Sequence, residues 1–318
     1  MIYRKYCVLL CLVLFLLSGC LNHTSPPSKA NIRILGKGGF ESIQSAIDNA
    51  DKGDIIVLTK GIYYEQIHIN KSIQLYGEDN VHSIIDGNNH SPLCILNANN
   101  IHISNLSMRN TSLNPTDSAI LVQGNNTVLD NLIVYNSMEG IYVAENTKNT
   151  TIKNSNIYHS RYGIHVKDAT ENRIINNTIV NNSGFGLYLD FYGNSNEITN
   201  NIIAANEIGI RIKTAAYNII TKNWIMNNTA KGIYICCSGY NNMLYENYLI
   251  NNIINAEDHF SNYWFHNTIG NYWSDYEKQN PEATDENHDG IWDEPYHIRN
   301  GENTDDYPLA WYPPNFEW

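Results

Sequence analysis

Gly140-Ile-Tyr-Val143, Gly163-Ile-His-Val166, Gly186-Leu-Tyr-Leu189, Gly209-Ile-Arg-Ile212 and Gly232-Ile-Tyr-Ile235 decide the fold of this chain. Each glycine follows the previous one by 23 residues, and each opens the same pattern of aliphatic, non-aliphatic, aliphatic. Side chains of a strand alternate between two faces, so the aliphatic pair points into a core and the middle residue points away from it. A second marker keeps the step of 23: Asn131, Asn154, Asn177, Asn200 and Asn223. Short β-rich segments at one period, with no helical pattern between them, describe a solenoid in which each repeat is one turn. The expected fold is all-β, a right-handed parallel β-helix with 23-residue rungs. The repeated glycine is expected at a tight, positive-φ corner. The repeated asparagine suits a corner twice over: its amide can hydrogen-bond to copies of itself along the axis, and it tolerates left-handed backbone angles.

The same step predicts what the outer face of these strands carries. One outward column reads Tyr142, His165, Tyr188, Arg211 and Tyr234, and two residues on the next reads Ala144, Lys167, Asp190, Lys213 and Cys236. Aromatic rings stack on sugar rings, while Arg and Lys hold hydroxyls or uronate carboxylates. Tyr142, His165, Lys167, Tyr188, Arg211 and Tyr234 are therefore candidates for binding a polysaccharide or glycan. The blander reading is that large side chains merely cover a β-face, with Lys167, Asp190 and Lys213 a solvated charge ladder.

Composition agrees with an extracytoplasmic protein. Only 16% of the 318 residues are charged, and asparagine takes much of their place. A net charge of −12 excludes nucleic acid as a partner, since phosphates recruit Lys and Arg. At the start, Arg4 and Lys5 precede an apolar stretch, Val8 to Leu17, too short to span a bilayer comfortably. Leu17-Ser-Gly-Cys20 matches the lipobox of prokaryotic lipoproteins, which implies cleavage before Cys20 and lipidation of its sulfur. Residues 1–19 are thus expected as a signal peptide, 20–30 as a lipidated tether, 31–262 as the β-helix and 263–318 as a C-terminal cap. A monomer held at the membrane by its lipid is expected. Of six cysteines, the mature fold would keep Cys94, Cys236 and Cys237. Cys94 lies about six rungs from Cys236, on the order of 28 Å, too far for a disulfide. Adjacent Cys236 and Cys237 are expected as packed thiols, with a strained vicinal disulfide as the alternative.

The solenoid ends need covers, because open parallel edges invite aggregation. Phe40 to Ala50 has apolar residues at helical spacing and is expected as a capping helix. Asp54 to Leu58, Gly61 to Glu65 and Ser72 to Gly77 read as the first strands. In the aromatic-rich tail, which holds Trp264, Trp273 and Trp292, Asp285-x-Asn287-x-Asp289-Gly290-Ile291-x-Asp293 sets oxygen ligands at alternate positions around a glycine turn, as calcium loops do. Its twelfth position is Tyr296, not Glu, so it is no EF-hand. Asp285, Asn287, Asp289, Ile291 and Asp293 are the candidate ligands of a structural calcium, and the alternative is an acidic turn held by Asx hydrogen bonds.

Phe40, Ile43-Gln44, Ala46-Ile47, Gly53-Asp54, Gly61-Ile-Tyr-Tyr-Glu65, Gly77-Glu78 and Ile85-Asp-Gly87 are similar to the start of pectin-lyase-like β-helices. The repeats resemble those of NosD-type periplasmic proteins and of carbohydrate-binding and sugar-hydrolase modules. Gly270-Asn-Tyr-Trp-Ser-Asp-Tyr276 and Asp305-Asp-Tyr-Pro-Leu309 resemble the closing segment of NosD-like proteins common in archaea. The resemblance implies the fold, and it implies three functions. The first is glycan binding on the outer strand face. The second is a polysaccharide lyase or hydrolase on that face: Arg211-Ile-Lys213 looks like the substrate-binding element of polygalacturonases, and Asp190, Arg211, Lys213 and His165 would be the catalytic set. Against hydrolysis, no Gly-His-Gly turn is present and Asp190 is the one aspartate available, where two carboxylates are needed. The third is copper handling, which needs clustered His, Met or Cys. Here His159 and His165 are expected on different faces, and Met226 and Met243 in the core, so copper is not expected.

Overall fold

A computed structural model describes residues 32–35, 40–114 and 117–311. The segments expected as signal peptide and tether, with Cys20, lie outside them. The chain winds into a solenoid with three parallel sheets, one per side. Sheet I runs from Ile32–Leu35 to Met243–Tyr245, sheet II from Ile67–Ile69 to Ile254–Asp258, and sheet III from Gly61–Tyr63 to Tyr272–Trp273. The last strand of sheet III arises beyond residue 262, so the first part of the tail continues the solenoid.

Register in sheet II follows the repeat: Ile141, Ile164, Leu187, Ile210 and Ile233 are successive partners. All five are fully buried, as is the ladder of Val143, Val166, Leu189, Ile212 and Ile235 two residues on. Burial of each such side chain is worth about 1.5–3 kcal/mol, and the stacking makes one continuous core.

The uniform 23 holds only on sheet II, and there from Glu139 to Ile254, the two steps before it being 26 and 21. On sheet I the partners Thr151, Arg173, Glu197, Ile219 and Met243 are spaced 22, 24, 22 and 24. Corners explain this. Rungs alternate between long corners, 181–184 and 191–196, and short ones, 205–207 and 214–218. A turn counted from sheet II contains one long and one short corner, so its length stays at 23 through these rungs.

This alternation corrects the asparagine marker. Three buried ladders exist, passing through Asn172-Asn196-Asn218-Asn242-Asn262, Asn177-Asn201-Asn223-Asn247-Asn271 and Asn182-Asn206-Asn228-Asn252. In each step the backbone N–H and the side-chain Nδ2 of one Asn donate to Oδ1 of the next. Nδ2 also reaches a strand carbonyl one rung back, as Asn201 does to Ile174. Asn177 and Asn223 belong to a ladder, whereas Asn131, Asn154 and Asn200 stand at left-handed corners, with φ of 53°, 52° and 57°. Asparagines adjacent in sequence fill both roles, and a fixed step of 23 crosses from one column to the other.

The glycines are corrected too. Of the glycines among the described residues, only Gly53 and Gly290 have positive φ. Gly186 is needed for space: a Cβ there would lie 2.8 Å from Gly209 O and from Ile203 Cγ2.

The N-terminal end is closed by a helix shorter than expected, Ile43–Asp48, with Ile43, Ala46 and Ile47 fully buried. Its first amides donate to Glu65 and its last carbonyls accept from Lys71 Nζ, so opposite charges sit at the two ends of its dipole. At the other end each ladder runs into an aspartate, of the last sheet II strand or of the tail. Asn262 donates to Asp258, Asn271 to Asp305, and Asn252 reaches Asp275 through Asn255. A carboxylate is an apt terminus, since it accepts on both oxygens and need donate nothing onward.

Candidate functional site

Glu139–Val143, Tyr162–Lys167, Phe185–Asp190, Ile208–Lys213 and Lys231–Cys236 build the outer face of sheet II. Tyr142, His165, Tyr188, Arg211 and Tyr234 are successive partners there, and Lys167, Asp190, Lys213 and Cys236 form the neighbouring column. The two columns thus stand side by side, as the alternation predicts.

The rings of Tyr142, His165 and Tyr188 form one stack, with centroids 5.0 and 4.6 Å apart. The Arg211 guanidinium continues it, 5.8 Å from the Tyr188 ring and 5.1 Å from those of Phe185 and Tyr234. Packing this close makes the middle of the column more enclosed than an open groove: His165 and Tyr188 are only 7% and 8% exposed.

A third column, outside the sequence expectation, closes the face on its other flank. It comprises Glu139, Tyr162, Phe185, Ile208 and Lys231, the residues before each repeat glycine. The same step of 23 marks it, but no aliphatic alternation points to it, because the chain bends at the glycine. Its Glu139 completes an ionic group: His165 Nδ1 lies 3.1 Å from Glu139 Oε1, and Nε2 lies 3.8 Å from Asp190 Oδ2. The second distance is that of an ion pair, longer than a hydrogen bond. Burial alone would lower the pKa of His165, but the Asp190 and Glu139 carboxylates outweigh it and raise it. Burial pulls Asp190 toward its neutral form, and His165, Tyr188 and Lys213 reverse that, so its pKa falls. Burial lifts the Tyr142 and Tyr188 hydroxyls well above the usual phenol range, so both are neutral donors.

Three buried polar atoms of this face have no hydrogen-bond partner: Glu139 Oε2, His165 Nε2 and Arg211 Nε. Lys167, Lys213 and Lys231 are paired with Glu145, Asp190 and Glu257. Among the described residues Arg211 is the one cation of the face with no carboxylate partner, and its NH2 group meets only Cys236 Sγ, at 3.6 Å.

The tail loop places Asp285, Asn287, Asp289 and Asp293 around the Gly290 turn. Their oxygens accept from backbone amides within the loop, as in Asx turns: Asp289 and Gly290 donate to Asp285, Ile291 to Asp289, and Glu286 to Asp293. Asn287, Asp289, Ile291 and Asp293 also line a concavity of about 350 Å³ together with Asp306.

The sequence pattern of the family described as "Periplasmic copper-binding protein (NosD)" matches residues 47–278. The chain belongs to the NosD family. Its fold is shared with solved structures of low identity: pectate lyase Pel9A (16% identity, 71% of each chain, TM-score 0.50); the pectin methylesterase from Aspergillus niger (15%, 72% of this chain and 86% of that, TM-score 0.52); and the pectin methylesterase from carrot (13%, 73% and 85%, TM-score 0.51). No curated protein sequence matches. The family is described as periplasmic, and what the chain shares with these solved structures is the pectate-lyase-like right-handed β-helix. The metal named by the family finds no obvious seat here. Among the described residues no group of three or more His, Cys, Asp or Glu side chains could hold a metal ion. His159 is exposed at a corner, away from His165 in sheet II. Of the two methionines expected in the core, Met226 is buried, though in a second apolar cluster, and only Met243 corrects the sequence reading. Met226 packs with Ala204 and Ile250 in a separate apolar cluster, on the strand face opposite to core-facing Ile225, and Met243 is half-buried beside the core residue Leu244.

Proposed function

We propose that the NosD chain binds a carboxylate-bearing polysaccharide on the outer face of sheet II. What supports this is Arg211, a cation held among three rings with a buried Nε left unsatisfied and no carboxylate to neutralise it. A buried unmet donor is costly, by about 1–3 kcal/mol, and a ligand oxyanion at this point removes the cost. Tyr142 and Tyr234 offer ring surface on either side for sugar stacking. Affinity measurements over acidic and neutral polysaccharides test the reading. Uronate polymers should bind, and Arg211→Ala should weaken them about tenfold to a hundredfold. Equal affinity for neutral glycans, or an Arg211→Ala chain that binds as before, rejects it.

A second reading is favoured by the flanked histidine: with Glu139 and Asp190 on either side, His165 can hold and pass a proton, as a lyase or hydrolase requires. Release of unsaturated or reducing ends from a bound polymer, abolished by His165→Gln, would establish it. We also propose lipidation at Cys20 as the anchor and calcium at the tail loop on oxygens of Asp285, Asn287, Asp289, Ile291 and Asp293, whose Asp and Asn side chains now accept from loop amides and would have to draw together around the ion. Calcium should raise the melting temperature and a chelator should reverse the gain; an unchanged melting temperature defeats the staple.

A further inference from the structure

Cys236 ends the sheet II strand on the outward column, opposite Lys213. The next residue in a continuing strand would point to the other face, but Cys237 and Ser238 are left-handed, with φ of 57° and 67°. The break in alternation returns the Cys237 side chain to the same side, and the two sulfurs stand 2.9 Å apart, closer than two unbonded sulfurs normally rest. The pair is asymmetric: Cys236 is 4% exposed and Cys237 is open to solvent. Arg211 Nη2 lies 3.6 Å from the buried sulfur. The third cysteine, Cys94, is fully buried six rungs away and can reach neither.

We propose that Cys236 and Cys237 are a reversible thiol–disulfide pair, a covalent redox site at the end of the sheet II face. The oxidant is a low-molecular-weight or carrier disulfide. The Cys237 thiolate attacks one of its sulfurs, forming a mixed disulfide and releasing one thiol. Cys236, having lost its proton to solvent, then attacks the Cys237 sulfur; the Cys236–Cys237 bond forms, the mixed disulfide breaks, and the second thiol leaves. Two thiols of the protein are oxidised and one external disulfide is reduced. In the reverse direction an external thiolate reaches exposed Cys237, and Cys236 departs as a thiolate beside the Arg211 guanidinium, which stabilises it. Adjacent cysteines hold their Cα atoms about 3.8 Å apart, below the usual disulfide range, so the ring is strained and easily reduced. That makes it a switch, not a staple. Burial and the neighbouring Cys237 raise the Cys236 pKa to about 11, which keeps the reduced form protonated and slow to oxidise without a carrier.

The experiment equilibrates the full chain in glutathione buffers of graded ratio, quenches with an alkylating agent and weighs the peptide carrying both cysteines. The expected result is a reversible transition between a doubly alkylated form and an unalkylated form lighter than the free dithiol by two hydrogen atoms. Its midpoint should fall within the glutathione range. Arg211→Gln should leave the midpoint in place and slow reduction of the pair by glutathione at least threefold, because the charge beside the departing Cys236 thiolate is gone. Two thiols that stay alkylatable in the most oxidising buffer overturn the proposal. So does a disulfide between chains, seen as a dimer on a non-reducing gel. A Cys94→Ala chain showing the same transition excludes a partner for the pair elsewhere in the fold.

Discussion

Histidine 165 is where the chemistry of the sheet II face concentrates. Its raised pKa means that the folded chain holds the proton more tightly than the unfolded one. The stabilisation from its two carboxylates is therefore full below the ordinary histidine pKa and is lost as pH rises through the higher folded value. Glu139→Gln should lower the His165 pKa, read by NMR titration of the ring protons, and should weaken this pH dependence. A His165 that titrates unchanged would leave Asp190 as the sole partner and remove Glu139 from the site. The glycines of the repeat make an equally local prediction. Gly186→Ala should destabilise the chain by about 1–3 kcal/mol in urea unfolding, through overpacking against the next rung.

Strands of only three residues on sheets I and III would be weak on their own; the asparagine ladders at their corners supply what the strands lack. Asn201 accepts from the Asn177 backbone and side chain and donates to Asn223 and to the carbonyls of Ile174 and Thr199. Asn201→Ala orphans several buried groups and should cost about 3 kcal/mol. Its neighbour Asn200 is exposed and left-handed, so Asn200→Ala should cost only about 1 kcal/mol, for backbone strain. Equal losses in the two variants, measured by urea unfolding, would mean that the ladder carries no special weight. The contrast is sharp because the residues are adjacent in sequence and identical in kind.

Ladders that end on aspartates tie the length of the solenoid to its cap. Asp305 is wholly buried, accepts from Asn271 and from the Trp273 indole, and is pushed up to about 7 by desolvation. A carboxyl whose folded pKa lies above its unfolded value stabilises the fold when protonated. That contribution is full below about 4 and is lost as pH rises to about 7. Burial raises Asp258 as well, so the two act in the same direction. Asp305→Asn should remove most of the slope, leaving a stability difference from the parent that grows by a few kcal/mol between pH 4 and 7. Thermal unfolding across that interval checks it; parallel curves for parent and variant would sink the ladder-terminus account.

What the sequence declared was whatever depends on period and alternation: the parallel solenoid, its aliphatic ladders, a capping helix within Phe40 to Ala50, and the shared face of Tyr142, His165, Tyr188 and Arg211. Stacking identical rungs turns a fixed step in sequence into contact in space, so a count suffices. What depends on the corners was decided only in three dimensions. Alternating corner lengths split the Asn131-to-Asn223 series between two columns, a bend at each glycine brought Glu139 beside His165, and a left-handed Cys237 set two sulfurs together. Corners are free to add or drop a residue without disturbing the strands, and for that reason no single period could have located them.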